Sequence, residues 1–287
     1  MNYLAVSSPA PHDGSRPVLD WGRTDIENRC GFKPGRFTNV NVVFAGIVAI
    51  LLSIGFYAAI SPFDGTWFAD MFTKRGPTQY ATVLLSWWAV VILIVKWGKL
   101  RFQRKALEIH IMPEDPGFIL SAATVDPVLT RIYQTADNPR AILLYNRIIN
   151  ALSNLRNLGQ VTEVDSLIRS HADQDEAALN TSYSLVQGFV WAIPVLGFIG
   201  TVLGLSEAIG QFSGVLDAAS DVERITQALK GVTAGLATAF ETTLVALVAA
   251  LFIQLAVVFL RKQEDEFLDE AMDYCHRFVV GRLRILP

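Results

Sequence analysis

The sequence is short of the groups that most chemistry needs. Its two cysteines, Cys30 and Cys275, lie far apart in polar flanks with no Cys-x-x-Cys or Cys/His metal spacing, so both read as reduced thiols and no metal site is expected. The four histidines, His12, His110, His171 and His276, are scattered, and there is no His-Glu-x-x-His, Gly-x-Ser-x-Gly or Walker loop. Lys230-Gly231 followed by Val232 is not a phosphate loop. The sequence thus offers no catalytic residue, no cofactor site and no sign of an enzyme. Without a nucleotide site, energy for any work must come from a gradient or a partner. Charge is sparse as well: 18% of residues are charged, the net charge is −3 and the pI is near 5.8. Basic residues gather into no phosphate-tracking face, which excludes nucleic acid. The first 20 residues are polar and proline-rich, without a basic start and apolar core. No cleavable signal is therefore expected, and the first membrane helix should act as its own insertion signal.

What the sequence does contain is apolar residue: 52% of 287, with a mean hydropathy of +0.36, concentrated in four blocks. Residues 40–60 run about 21 positions without a charge, close to the roughly 20 that cross the hydrocarbon. Residues 80–97 form a second span, with Trp87, Trp88 and Trp97 as interfacial anchors, and the two make a membrane hairpin. Further spans are expected at about 185–209 and 231–260. Before the hairpin, residues 1–39 read as an irregular cytoplasmic arm in which Trp21, Ile26 and Phe32 could rest at the membrane interface. Residues 98–184 read as a helical cytoplasmic domain. It holds an amphipathic helix over 141–158, a stop at Asn157-Leu158-Gly159, and a Thr162/Asp165 capping box opening a helix that runs on into the membrane. Residues 261–287 read as a helical, acidic cytoplasmic tail in which Phe267, Ala271, Tyr274 and Phe278 keep helical spacing. The fold class is all-α and polytopic, with four transmembrane helices and long helices extending into the cytoplasm. Lys96, Lys99, Arg101, Arg104 and Lys105 follow the second span and Arg261 and Lys262 the last, whereas only Lys74, Arg75, Arg224 and Lys230 occupy the connections on the other side. Both termini are therefore expected in the cytoplasm.

The stretch 191–212, WAIPVLGFIGTVLGLSEAIGQF, is apolar enough to span, yet it is built on small residues. Gly197, Thr201, Gly204 and Ala208 recur at helical spacing and form one small face, the device by which membrane helices approach closely. Tight packing, against a partner helix as well as sister subunits, is one reading. The other is functional, because the next span is matched to it: Thr238 and Thr242 share a face with Gly231, Gly235 and Ala249, while Glu241 and Thr243 flank that face. Hydroxyls from Thr201, Thr238, Thr242 and Thr243 could form a ladder that solvates a hopping proton, or each could bond back to its own helix. Glu241 lies 20 residues before Arg261, roughly 30 Å of helix, at the outer edge of the hydrocarbon. Three roles stay open for it: a solvent-bound carboxylate, a proton-accessible lining group, or an intersubunit hydrogen bond. Gln254, deeper in the same helix, reads as an interhelical hydrogen bond, and Glu207 as lying near the outer surface.

The pattern Pro194-x-x-Gly197-x-x-Gly200-Thr201-Val202-x-Gly204 resembles the motif that opens the core of the MotA/TolQ/ExbB proton-channel family. Ala239-Phe240-Glu241-Thr242-Thr243 with the following LVALVAAL resembles the second motif, Thr243 matching the family's pore threonine best. The likeness is detailed over 185–260, extends back to about 115, and is absent before that. It implies a homopentamer around two copies of a single-span partner of the MotB, TolR or ExbD kind, whose aspartate takes up the ion. Ion flow then drives rotation. Thr201, Thr238, Thr242, Thr243 and Glu241 would line the pathway; Pro194, Gly197, Gly200, Gly204, Gly231 and Gly235 would pack the helices and form the gate. The division of labour fits a chain with no aspartate in any span. Lipid and partner protein, not nucleic acid, are the expected contacts. There are departures. Four spans resemble MotA rather than the three of TolQ and ExbB, and Thr238 stands where those two carry a glutamate. The wording around Glu241 is closer to ZorA-like or unassigned members, without the long tail of ZorA. A non-conducting membrane scaffold and a small polytopic transporter remain the alternatives.

Overall fold

The computed structural model describes residues 18–109, 111–113, 118–121, 124–153, 161–217 and 222–284. Among these every regular element is helical: α1 (Trp21–Thr24), α2 (Ile26–Arg29), α3 (Val42–Ile60), α4 (Trp67–Thr73), α5 (Pro77–Glu108), α6 (Val125–Thr135), α7 (Leu143–Ser153), α8 (Val161–Ser182), α9 (Ser184–Asp217) and α10 (Val222–Tyr274). Four stretches are long and apolar enough to cross a membrane: Val42–Phe63, Pro77–Glu108, Val161–Phe212 and Ile225–Arg282. The starts of these helices are written locally. Asn41 caps α3, its side chain accepting from the N–H groups of Val43 (3.0 Å) and Phe44 (3.2 Å). Gly76, at φ +86°, makes a left-handed turn that an L side chain rarely adopts. Pro77 then occupies the first position of α5, where a backbone N–H would have no helical partner.

The chain divides into two units. The first comprises Val40–Lys96 and Asn180–Lys262. Here α3 and α5 pack through Gly46: a β-carbon at that position would lie 2.9 Å from the Trp88 indole. The same indole lies 5.2 Å from the ring of Phe189 on α9. Phe56 of α3 meets Phe72 of α4 edge-on at 5.2 Å, and the Tyr80 hydroxyl donates to the Thr73 carbonyl. Lys96, 1% exposed, reaches the Ser182 hydroxyl (3.0 Å) and lies 4.4 Å from the Tyr183 ring.

The second unit comprises Met1–Asn39, Trp97–Leu179 and Gln263–Pro287. Its core takes Ile142, Leu144, Tyr145, Ile148, Ile149 and Leu152 from α7 and its entry, and Phe267, Ala271 and Cys275 from the C-terminal end of the chain. Buried charge is paired. Lys99 meets Glu27 at 2.6 Å, and Arg147 meets Asp175 at 2.7 Å.

Several expectations are revised. The connection after α3, where the sequence shows no helical period, contains the short helix α4, capped by Thr66. α5 starts at Pro77 rather than 80 and runs to Glu108, because Lys99, Arg101, Arg104 and Lys105 are good helix formers and no proline intervenes. The helix expected to run unbroken into the membrane is interrupted at Tyr183, between α8 and α9. α8 begins at Val161, so Thr162 sits inside its first turn, and Asp165 pairs with Arg169 at 2.9 Å instead of closing a capping box. Trp21, expected at an interface, is 4% exposed and packs edge-on against Phe102 at 5.2 Å. Ile26, named with it, is exposed. The Asn157-Leu158-Gly159 stop lies outside the described residues.

Candidate ion-pathway site on the last two spans

Helices α9 and α10 approach backbone to backbone, and the glycines explain why. A β-carbon at Gly204 would lie 2.6 Å from the Gly235 carbonyl oxygen and from the Ala239 nitrogen, and one at Gly235 would lie 2.7 Å from the Gly204 oxygen and the Ala208 nitrogen. At Gly197 it would meet the Ala246 side chain at 2.6 Å, and at Gly231 the side chain of Gln211 at 2.9 Å. The small face of the third span is thus filled by the chain's own fourth span. That corrects the expectation of a face spent on a partner helix and sister subunits. Pro194 lies inside α9, which removes the hydrogen-bond donor for the Val190 carbonyl four residues earlier.

The close crossing brings Thr201 and Thr243 together, hydroxyl to hydroxyl. Thr201 Oγ1 also lies 3.1 Å from the Ala239 carbonyl and 3.2 Å from that of Gly197, and Thr243 Oγ1 lies 2.9 Å from the Gly197 carbonyl. Each hydroxyl has one proton to give and lone pairs to accept with. Either can donate to a carbonyl while the other donates across the pair, so the direction of the bond can reverse without movement of a heavy atom. Chains of hydroxyls with that property can pass a proton.

The other two threonines do not join this pair. Thr238 donates to the Ala234 carbonyl (3.1 Å) and Thr242 to that of Thr238 (2.9 Å), the back-bonding that isolated helical threonines favour. Thr242 is 0% exposed and faces Gly200, where a β-carbon would lie 2.5 Å from its Oγ1 and 3.1 Å from the Thr78 hydroxyl of α5. Glu241 is already occupied. Its carboxylate accepts from Arg75 Nε at 2.7 Å, with side chains 14% and 16% exposed, and Arg75 Nη1 reaches Thr238 Oγ1 at 3.5 Å. A carboxylate bound mainly by solvent, or one kept for a sister subunit, is not what the structure shows. Arg75 and Thr78 were missed as site residues. The available signal was Arg75 itself, a basic residue two positions before the first residue of α5. Gln254 and Glu207 are exposed on the single chain. Among the described residues no group of three or more His, Cys, Asp or Glu is placed to hold a metal ion.

No curated protein and no solved structure matches the chain. Residues 137–272 match the MotA/TolQ/ExbB proton channel family. That stretch contains both glycine–threonine motifs, the Thr201–Thr243 contact and Glu241. Over these residues the chain is similar to the MotA/TolQ/ExbB proton channel family.

Proposed function

We propose that this multi-pass membrane protein is the channel-forming, stationary subunit of an ion-driven, most simply proton-driven, rotary motor. Five copies surround two copies of a single-span partner of the MotB, TolR or ExbD kind in a bacterial inner membrane, with both termini in the cytoplasm. The partner supplies the ion-binding aspartate, and this chain supplies hydroxyls and a rigid wall. Thr201 and Thr243 relay; Thr238, Thr242 and Glu241 shape the outer part of the wall, and Pro194, Gly197, Gly200, Gly204, Gly231 and Gly235 hold the helices at the separation the relay needs. Ion flow past them turns one part of the complex against the other.

The observation that carries this reading is the reversible hydroxyl pair Thr201–Thr243, held between two helices that touch through glycine. Valine keeps the shape of threonine and removes the hydroxyl. In proteoliposomes with the partner present, Thr201→Val and Thr243→Val should each cut proton flux on the order of tenfold or more, the effect of about 1.4 kcal/mol added to the limiting step. The oligomer should assemble as before. Full flux in both variants would falsify the assignment and favour a non-conducting scaffold.

A further inference from the structure

The hairpin lies outside the region that matches the family, yet its second helix carries polar groups into the same unit as the threonines. Gln79, in the first turn of α5, is 0% exposed, and neither its Oε1 nor its Nε2 has a hydrogen-bond partner. Three positions further on, Thr82 is 1% exposed and its hydroxyl is likewise unbonded. An enclosed amide or hydroxyl left without a partner costs about 1–3 kcal/mol, so such groups in folded proteins are met by protein or by ordered water.

The possible occupants narrow quickly. With Gln79 fully enclosed within a single chain, no sister subunit or partner helix can reach it. A lipid tail offers no hydrogen bond. The amide presents one acceptor and one donor side, so its complement must both donate and accept. The charged side chains next to Gln79 in the sequence are matched already, Arg75 with Glu241 at 2.7 Å and Lys74 with Asp70 at 2.7 Å. Water is the small molecule that fits.

We propose that Gln79 holds an enclosed water molecule, and that this water, with the Thr78 and Thr82 hydroxyls, forms a proton-relaying branch contributed by the second span. Thr78 is the junction. Its hydroxyl and that of Thr242 both crowd Gly200, where a β-carbon would lie 3.1 Å and 2.5 Å from them, and Gly200 immediately precedes Thr201. A proton taken onto one lone pair of the water leaves as a different proton from its far side. The amide orients the water and does not titrate. The hairpin is then part of the conducting machinery rather than an anchor beside it. This inference rests on the channel reading above.

The test uses the full complex with its partner. A map of the wild-type complex at a resolution that shows ordered water should place density within hydrogen-bond distance of both Gln79 amide atoms. Empty space there, or Gln79 bonded to protein groups, overturns the inference whether or not any variant folds. In proteoliposomes, Gln79→Leu should lower proton flux on the order of tenfold, and Thr82→Val, which removes one hydroxyl at nearly constant shape, should lower it less. Full flux in Gln79→Leu with flux blocked in Thr201→Val sinks the branch and leaves the channel standing. Full flux in both removes the channel reading and the branch with it. If Gln79 is only an unfilled defect, Gln79→Leu should raise thermal stability at unchanged flux, which also overturns the inference.

Discussion

Lys99 shows how much position decides among chemically similar groups. Its ammonium lies 2.6 Å from Glu27 and 3.6 Å from Asp25, and all three side chains are at most 3% exposed. Glu27 also accepts the Gly35 N–H at 3.2 Å, while Asp25 Oδ2 accepts no hydrogen bond. Burial holds the Asp25 carboxyl above the ordinary carboxylate value, and Lys99 only partly opposes it. A carboxyl raised by folding contributes stability that is complete below its unfolded value, near 3.8, and is lost as pH rises through the folded value. Ionised Asp25 is therefore a cost at neutral pH. Asp25→Asn keeps an oxygen for the Glu27 N–H and should leave the melting temperature equal or higher at pH 7, the gain shrinking on acidification. Glu27→Gln breaks a buried pair and should lose roughly 3–5 kcal/mol. Thermal melts across pH in detergent separate the two, and a lower melting temperature for Asp25→Asn at pH 7 contradicts the argument. Cys275 is a second case: burial pushes its thiol up to about 12. At pH 8 a maleimide should modify the exposed Cys30 and spare Cys275 until the protein is denatured.

At the scale of the element, the crossing of α9 and α10 depends on backbone approach at Gly204 and Gly235. Gly235→Leu would force side-chain atoms into the Gly204 carbonyl, which lies 2.7 Å from where even a β-carbon would stand. Overpacking of this kind costs about 1–3 kcal/mol, and the helices must part to relieve it. Separation of the helices breaks the Thr201–Thr243 contact. Gly235→Leu should therefore lose both thermal stability and flux, whereas Thr201→Val should lose flux alone. A stable, conducting Gly235→Leu protein would show that the crossing is not what holds the pair. The small face was legible in the sequence because helical period projects directly onto a face: Gly197, Thr201 and Gly204 fall in line whatever surrounds them. What the face meets was not legible, since small residues serve a sister chain as readily as the same chain. Nor was the fate of Glu241. Its partner Arg75 is 166 positions away and belongs to a connection whose own helix, α4, is too short for periodicity to reveal. Gln79 escaped for a related reason. One polar residue at the mouth of a span looks like an interfacial group until burial shows that it is enclosed.

For the whole molecule, the distribution of lysine and arginine predicts the direction in which the chain threads the bilayer. Five basic residues, Lys96, Lys99, Arg101, Arg104 and Lys105, fall within or just beyond the end of the second apolar block, and Arg261 and Lys262 end the last. In the connection after α3, Lys74 and Arg75 are the basic residues, and both are engaged locally, with Asp70 and Glu241. Residues near Cys30 should then lie on the cytoplasmic side and those near Asp64 on the other. The native thiols make this measurable with little engineering. Cys30 is exposed, and Cys275, buried with its thiol pushed up to about 12, stays silent. Asp64 is exposed, in the short turn that follows α3, so Asp64→Cys adds a reporter without disturbing a core. On intact spheroplasts a membrane-impermeant maleimide at pH 7 should label Asp64→Cys in a Cys30→Ser background and leave the wild-type chain unlabelled. After permeabilisation Cys30 should react as well. Labelling of Cys30 in intact spheroplasts would reverse the topology. It would place the Arg75–Glu241 pair and the enclosed Gln79 at the cytoplasmic end of the pathway, where ions would leave rather than enter.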